Sequence, residues 1–145
     1  MLLISHRGNT NGKESRENSP ELIEDVLDRG FYVETDLWVE RGKFYLGHDE
    51  PVYNITIDFF NKNNIIYHAK NLAALEFCLD SNIHTFWHHE DEYTITSYGY
   101  IWVYPGLSVS NKVRCIIVDN NKPSFKYDCT GICSDYVQLY KTYSI

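Results

Sequence analysis

At 145 residues the chain is one domain's worth of polypeptide, and 43% hydrophobic with 23% charged residues is a globular composition that excludes wholesale disorder. No apolar run approaches the ~20 residues of a membrane span, and Ser5, His6 and Arg7 break the apolar start too early for a signal peptide, so a cytoplasmic protein is expected. A net charge of −7 argues against a broad nucleic-acid or anionic-membrane surface, so an anionic ligand must be held by a local cluster or by a metal.

Residues 2–6 (LLISH) read as a strand, followed by a polar loop of turn formers over 9–20. Ser19-Pro20-Glu21 opens a helix: Ser caps it, Pro takes its first position, and Leu22, Ile23, Val26 and Leu27 share one face until Gly30 closes it. Strand 31–38 turns through ERGK into 43–48, and a weak short helix is placed at 56–62. A strand at 64–68 leads into a helix at 71–80, with Asn71 as its cap. Further strands are expected at 83–88, 93–96, 100–104 and 114–118, and a last one (GICSDYVQL) begins at Gly131. There is no repeat or linker, so residues 1–145 are taken as a single domain. Strand alternating with helix makes this an α/β chain with a parallel sheet. Cys78, Cys115, Cys129 and Cys133 form no CxxC pair and are expected as reduced, buried thiols rather than metal ligands.

The chemistry gathers at strand ends. His6 and Arg7 end the first strand; Glu34 and Asp36, two apart on the second, face the same way. His48 and Asp49 end the hairpin arm, and His68 and Lys70 end the third strand, again co-facial. Two carboxylates on one strand face suit a divalent cation. Histidines from different strands can serve as acid and base, and Arg7 and Lys70 can neutralise a phosphate. Each residue alone is more often a surface or hydrogen-bonded group; their joint placement at successive strand ends is what signals a site, because parallel strands gather such ends at one mouth. Trp102 and Tyr104 could add an aromatic wall, or serve ordinary core packing. In the run 87–91, His89 and Asp91 have only a minor claim on the mouth.

His-Arg-Gly at 6–8, Glu-Asn-Ser at 17–19, Glu-x-Asp at 34–36 and His-Asp at 48–49 resemble, in order and spacing, the motifs of the glycerophosphodiester phosphodiesterase family, which belongs with the phosphatidylinositol-phospholipase-C-like barrels. Gly131–Tyr136 is similar to that family's last strand. The resemblance implies a compact (β/α)8 TIM-type barrel, here with several outer helices shortened or missing. It implies a metal-dependent hydrolase that cleaves a small-molecule phosphodiester to an alcohol and a phosphomonoester. His6 and His48 would be the acid–base pair, in unassigned order, and Arg7, Lys70 and Asn18 would meet the phosphate. Glu34 and Asp36 would hold one divalent metal, with Asp49 and Asp135 supporting from behind.

Two departures qualify what carries over. The family has Glu-x-Lys on strand three, where this chain has His68-x-Lys70. An imidazole as third ligand moves preference from Mg²⁺ or Ca²⁺ toward Mn²⁺ or Zn²⁺. The segment from Pro51 to Phe60 is also too short for the family's glycerol-enclosing insertion. Two other readings therefore stand beside the hydrolase: a catalytically weak phosphoester- or sugar-phosphate-binding barrel, and a metal-dependent phosphomonoesterase.

Overall fold

The computed structural model describes residues 1–107, 109–110, 113–124 and 126–143. Its elements run β1 (Leu2–His6), α1 (Pro20–Asp28), β2 (Tyr32–Glu40), β3 (Lys43–Leu46), β4 (Tyr53–Ile55), a 3-10 turn (Ile57–Asn61), β5 (Ile65–Ala69), α2 (Leu72–Asp80), β6 (Thr85–Phe86), β7 (Tyr93–Ile95), β8 (Ile101–Val103), β9 (Cys115–Val118), β10 (Gly131–Ser134) and α3 (Val137–Tyr143). Parallel pairing orders the central strands β6-β5-β2-β1-β10-β9-β8. The β2–β3, β3–β4 and β7–β8 pairs are antiparallel, so the sheet is mixed.

Local chemistry sets the helices. The Ser19 hydroxyl accepts from Leu22 N at 3.3 Å, Pro20 sits in the first turn, and Leu22, Ile23 and Val26 are buried. Asn71 caps α2 by accepting from Ala74 N at 3.0 Å, and its amide ties the helix start to Val39 O at 2.9 Å. These two helices cover the convex face of the sheet, where Val33, Leu37, Ile65, Tyr67 and Ala69 are buried against them. The concave face carries the alternate residues. Ile4, Ile66, Phe86, Trp102, Ile116 and Cys133 form its apolar middle layer.

The (β/α)8 barrel expected from the resemblance is not what the chain forms. The sheet curls into a half-barrel, and among the described residues there are three α-helices. β6 and β8 do not pair with each other. Their ends meet through the Phe86–Trp102 ring stack, with centroids 4.3 Å apart, and through the turn after β7, where Ser97 N donates to Thr85 O at 2.7 Å. The cause lies in the stretch after α2: among the described residues of 81–107 and 113–114 there are short strands and turns and no helix to cover another strand, whereas a full barrel takes ~250 residues. The last expected strand also stops early: β10 ends at Ser134, whose hydroxyl accepts from Tyr136 N at 3.0 Å, and the chain turns into α3. No helix among the described residues is long and apolar enough to cross a membrane.

Candidate functional site

Strand register assembles the site. His6 of β1 lies beside Glu34 of β2, and Asp36 of β2 lies beside His68 of β5. All four sit on the concave face, at the C-terminal end of the parallel strands, above the apolar middle layer. Glu34 and Asp36 are buried, at 2% and 0% exposure. One ligand atom each from Glu34, Asp36 and His68 falls within 4.8 Å of the others, the one such group of three found among the described residues.

The neighbours of these two carboxylates leave one oxygen of each without a hydrogen bond. Asp36 Oδ2 accepts from Asn18 Nδ2 at 2.9 Å and faces Arg7 Nε at 3.2 Å. Asp36 Oδ1 lies 3.1 Å from His68 Nδ1 and 4.0 Å from Lys70 Nζ, yet accepts no hydrogen bond. Glu34 Oε2 is 3.8 Å from His6 Nε2 and also accepts none. Burial and the charge of Asp36 push the Glu34 carboxyl above its ordinary range. Burial acts on Asp36 in the same sense, but His68, Arg7 and Asn18 outweigh it and hold that carboxyl well below its usual value.

His68 has an acceptor on each side. Its Nε2 meets the His88 carbonyl oxygen at 2.9 Å, a contact in which the nitrogen can only donate. Its Nδ1 faces Asp36 Oδ1 across 3.1 Å, and in the tautomer protonated at Nε2 alone that nitrogen carries the lone pair a metal needs. That separation matches two adjacent ligands of one cation, since cis donors at ~2.1 Å from a metal stand about 3 Å apart. A face-to-face contact with Phe86, 4.8 Å between centroids at 12°, fixes the imidazole plane. The residues present thus fit a divalent cation: two buried carboxylate oxygens lack donors, and an imidazole is oriented beside one of them.

His6 is held differently. Its Nδ1 contacts Asp135 Oδ1 at 2.7 Å, which leaves Nε2 on the Glu34 side. Burial lowers its proton affinity, but the bond to Asp135 and the charge of Glu34 prevail and raise it. Asp135 is itself lowered: burial is outweighed by its bonds to His6 and Asn9. Asn9, 0% exposed, bridges Asp135 at 2.9 Å and Glu17 at 3.0 Å, and Glu17 reaches Arg7 at 3.4 Å. Asn9 and its bridge to Glu17 are the functional neighbours that sequence reasoning missed, because Asn9 sits among turn formers and reads as one of them.

The other expected residues fall as follows. His48, Lys70 and Arg7 line a cavity of about 490 Å³ with His6, Glu34 and His68. His48 stands at its rim, 41% exposed, with Nδ1 2.8 Å from the exposed Asp49; burial and Arg7 lower its proton affinity. Gly47, at φ 157°, turns the chain into that rim: a Cβ there would collide with the Glu50 carbonyl oxygen. Trp102, Tyr104, His88 and His89 also line it; Trp102, 5% exposed, packs on Phe86 in the core while Tyr104 is half-exposed, and Asp91 lies outside the lining. Asn18 is not at the edge where a phosphate could meet it. It is 1% exposed, and its carbonyl oxygen accepts from Thr35 Oγ1 at 2.7 Å and Asp36 N at 3.1 Å. Its side chain orients the Asp36 carboxylate. Arg7 and Asn18 both adopt left-handed backbone, at φ 57° and 67°, a cost accepted where two side chains converge on Asp36.

All four cysteines are free thiols, three of them buried and Cys129 half-buried. No protein-family model matches the chain, no curated protein matches it, and no solved structure matches it.

Proposed function

We infer that the chain is a metal-dependent phosphodiester hydrolase, with a chemistry resembling that of glycerophosphodiester phosphodiesterases. The observation that carries this reading is the pair of buried carboxylate oxygens, Glu34 Oε2 and Asp36 Oδ1, that no donor satisfies. Buried polar atoms are rarely left so, and a charge in that state is costly. A cation held by Glu34, Asp36 and His68 would meet both oxygens and, when bound, would polarise a phosphoryl oxygen.

Arg7 and Lys70 line the same cavity and supply positive charge for a phosphate's remaining oxygens. Arg7 is anchored from behind by Glu17 and Asp36, which fixes its direction before substrate arrives. His6, oriented by Asp135, offers Nε2 to the cavity for one proton transfer. His48, at the rim of the same cavity, serves the other. The wall of Trp102 and Tyr104 suits a larger alcohol group than glycerol.

The test is hydrolysis of bis-p-nitrophenyl phosphate against the monoester p-nitrophenyl phosphate, with EDTA and then with Mg²⁺, Ca²⁺, Mn²⁺ or Zn²⁺. Diester cleavage that EDTA abolishes, that Mn²⁺ or Zn²⁺ restores best, and that Glu34→Ala and His6→Ala both lose is the expected result. No turnover with any of the four metals by folded protein would leave a phosphoester-binding half-barrel, and preference for the monoester would make it a phosphomonoesterase.

A further inference from the structure

The half-barrel has a second mouth, at the N-terminal end of its parallel strands. There the chain opens a cavity of about 750 Å³, larger than the one over the carboxylates. Leu2, Tyr32, Ile65, His84, Tyr100 and Arg114, all at or just before strand starts, contribute to its wall. The apolar layer of Ile4, Ile66 and Ile116 separates it from the metal-side residues. Its volume lies within the roughly 300–1,000 Å³ range of small-molecule sites.

Its chemistry is unlike that of the rest of the surface. The protein has 20 acidic residues and a net charge of −7, yet none of the described lining residues is acidic, and Lys62 and Arg114 are both present. Lys62 is paired with Glu24 at 3.1 Å. The Arg114 guanidinium is in no ion pair among the described residues; its Cζ stands over the Tyr100 ring, 4.0 Å from the centroid. A guanidinium held over a ring can still offer N–H groups to an anion. Beside it, His84 and Tyr98 stack at 4.3 Å and 4°, and Tyr98 is 45% exposed, so an aromatic face is open to a further ring. Asn63, Asn64 and Asn82 supply amide donors and acceptors around the opening.

We propose that this lower cavity binds a mononucleotide-like anion, a heterocyclic ring joined to one phosphate, with the ring on Tyr98 and the phosphate on Arg114. The stacking face, the amides and the free guanidinium each match one part of such a molecule. An anion is favoured over a cation at this mouth, because Lys62 and Arg114 are the charged residues of its described lining. The site is independent of the hydrolase reading, since none of its residues belongs to the metal side.

Calorimetric titration of the full chain with AMP in EDTA, alongside ribose 5-phosphate and adenosine, tests it. AMP is expected to bind one site, with Arg114→Gln and Tyr98→Ala each weakening it by roughly tenfold or more. Asp36→Asn should leave AMP binding unchanged. Both substituted side chains are at the surface, and matching circular dichroism spectra establish that the variants fold. Absence of AMP binding by the folded wild type overturns the proposal. So does equal affinity for ribose 5-phosphate, which removes the ring's role, or a loss of binding in Asp36→Asn in place of Arg114→Gln, which moves the site to the other mouth.

Discussion

Replacing Glu34 by Gln should make the metal-free protein more stable while destroying its response to metal. Glu34 and Asp36 present ligand oxygens within 4.8 Å of each other, both buried. Two unit negative charges at that separation repel by about 3 kcal/mol at an effective dielectric of about 20. His6, Arg7 and His68 offset part of this, and the upward displacement of the Glu34 carboxyl means that protonation relieves more of it. The remaining gain from a neutral, isosteric Gln is about 1–2 kcal/mol, or about 3–7 °C in Tm for a domain of this size. The wild type should gain about 2.7 kcal/mol from a cation at ~100 times its Kd, close to 10 °C, and Glu34→Gln should gain almost none of it. Thermal melts followed by circular dichroism, in EDTA and in excess Mn²⁺ or Zn²⁺, read both effects. A fall in the metal-free Tm of Glu34→Gln, or an equal rise in both proteins on adding metal, would refute the picture of two carboxylates awaiting a cation.

Three further outcomes follow from the same geometry. His6→Ala should lower kcat for the diester by about 10²–10⁴ while the Mn²⁺-induced rise in Tm persists, and Asp135→Asn should cost about 10–100-fold by freeing the ring; steady-state rates and melts on the same samples separate the two effects. Asn18→Ala removes three buried hydrogen bonds at a left-handed position, so its urea midpoint should fall by the equivalent of about 3 kcal/mol. Burial and the neighbouring Arg114 lower His84 to about 4. Its ring is then neutral in the folded state well below the ~6.5 at which it charges when unfolded, and the unfolded chain binds the extra proton. Stability should therefore fall as pH drops from about 6.5 toward 4, by about 1–2 kcal/mol for a ring only partly removed from solvent. Urea melts of His84→Gln should lack that portion of the slope.

Much of the site was legible because strands leave a period-2 signature. Glu34/Asp36 and His68/Lys70, two apart, had to share a face, and parallel register then placed Asp36 beside His68. What spacing could not reveal is depth. Asn18 reads like a loop residue at a site's edge, yet the left-handed turn at residue 18 drives its amide under Asp36, where burial removes it from any substrate. Asn9 was hidden for a similar reason: one asparagine in a polar loop carries no sign that it will bridge Asp135 and Glu17. The fold was overreached from its first half. Residues 1–80 hold two strand–helix units, β1–α1 and β5–α2, but beyond Asp80 the antiparallel pair β7–β8 takes the place of the helices a closed barrel needs. Short strands there gave no periodicity to distinguish an open sheet from a closed one. The start of α3 went unseen because Tyr136, Val137 and Leu139 fit a strand as well as a helix, and the turn at Ser134 is set by a single hydroxyl.

The proposed hydrolase requires Glu34, Asp36 and His68 to hold one cation together. Anomalous scattering from crystals grown with Mn²⁺ addresses it most directly. A single strong peak is expected on the concave face, about 2.0–2.3 Å from a carboxylate oxygen of Glu34, one of Asp36 and a ring nitrogen of His68. A fully occupied Mn²⁺ elsewhere on the chain, with no peak between these three residues, would contradict it.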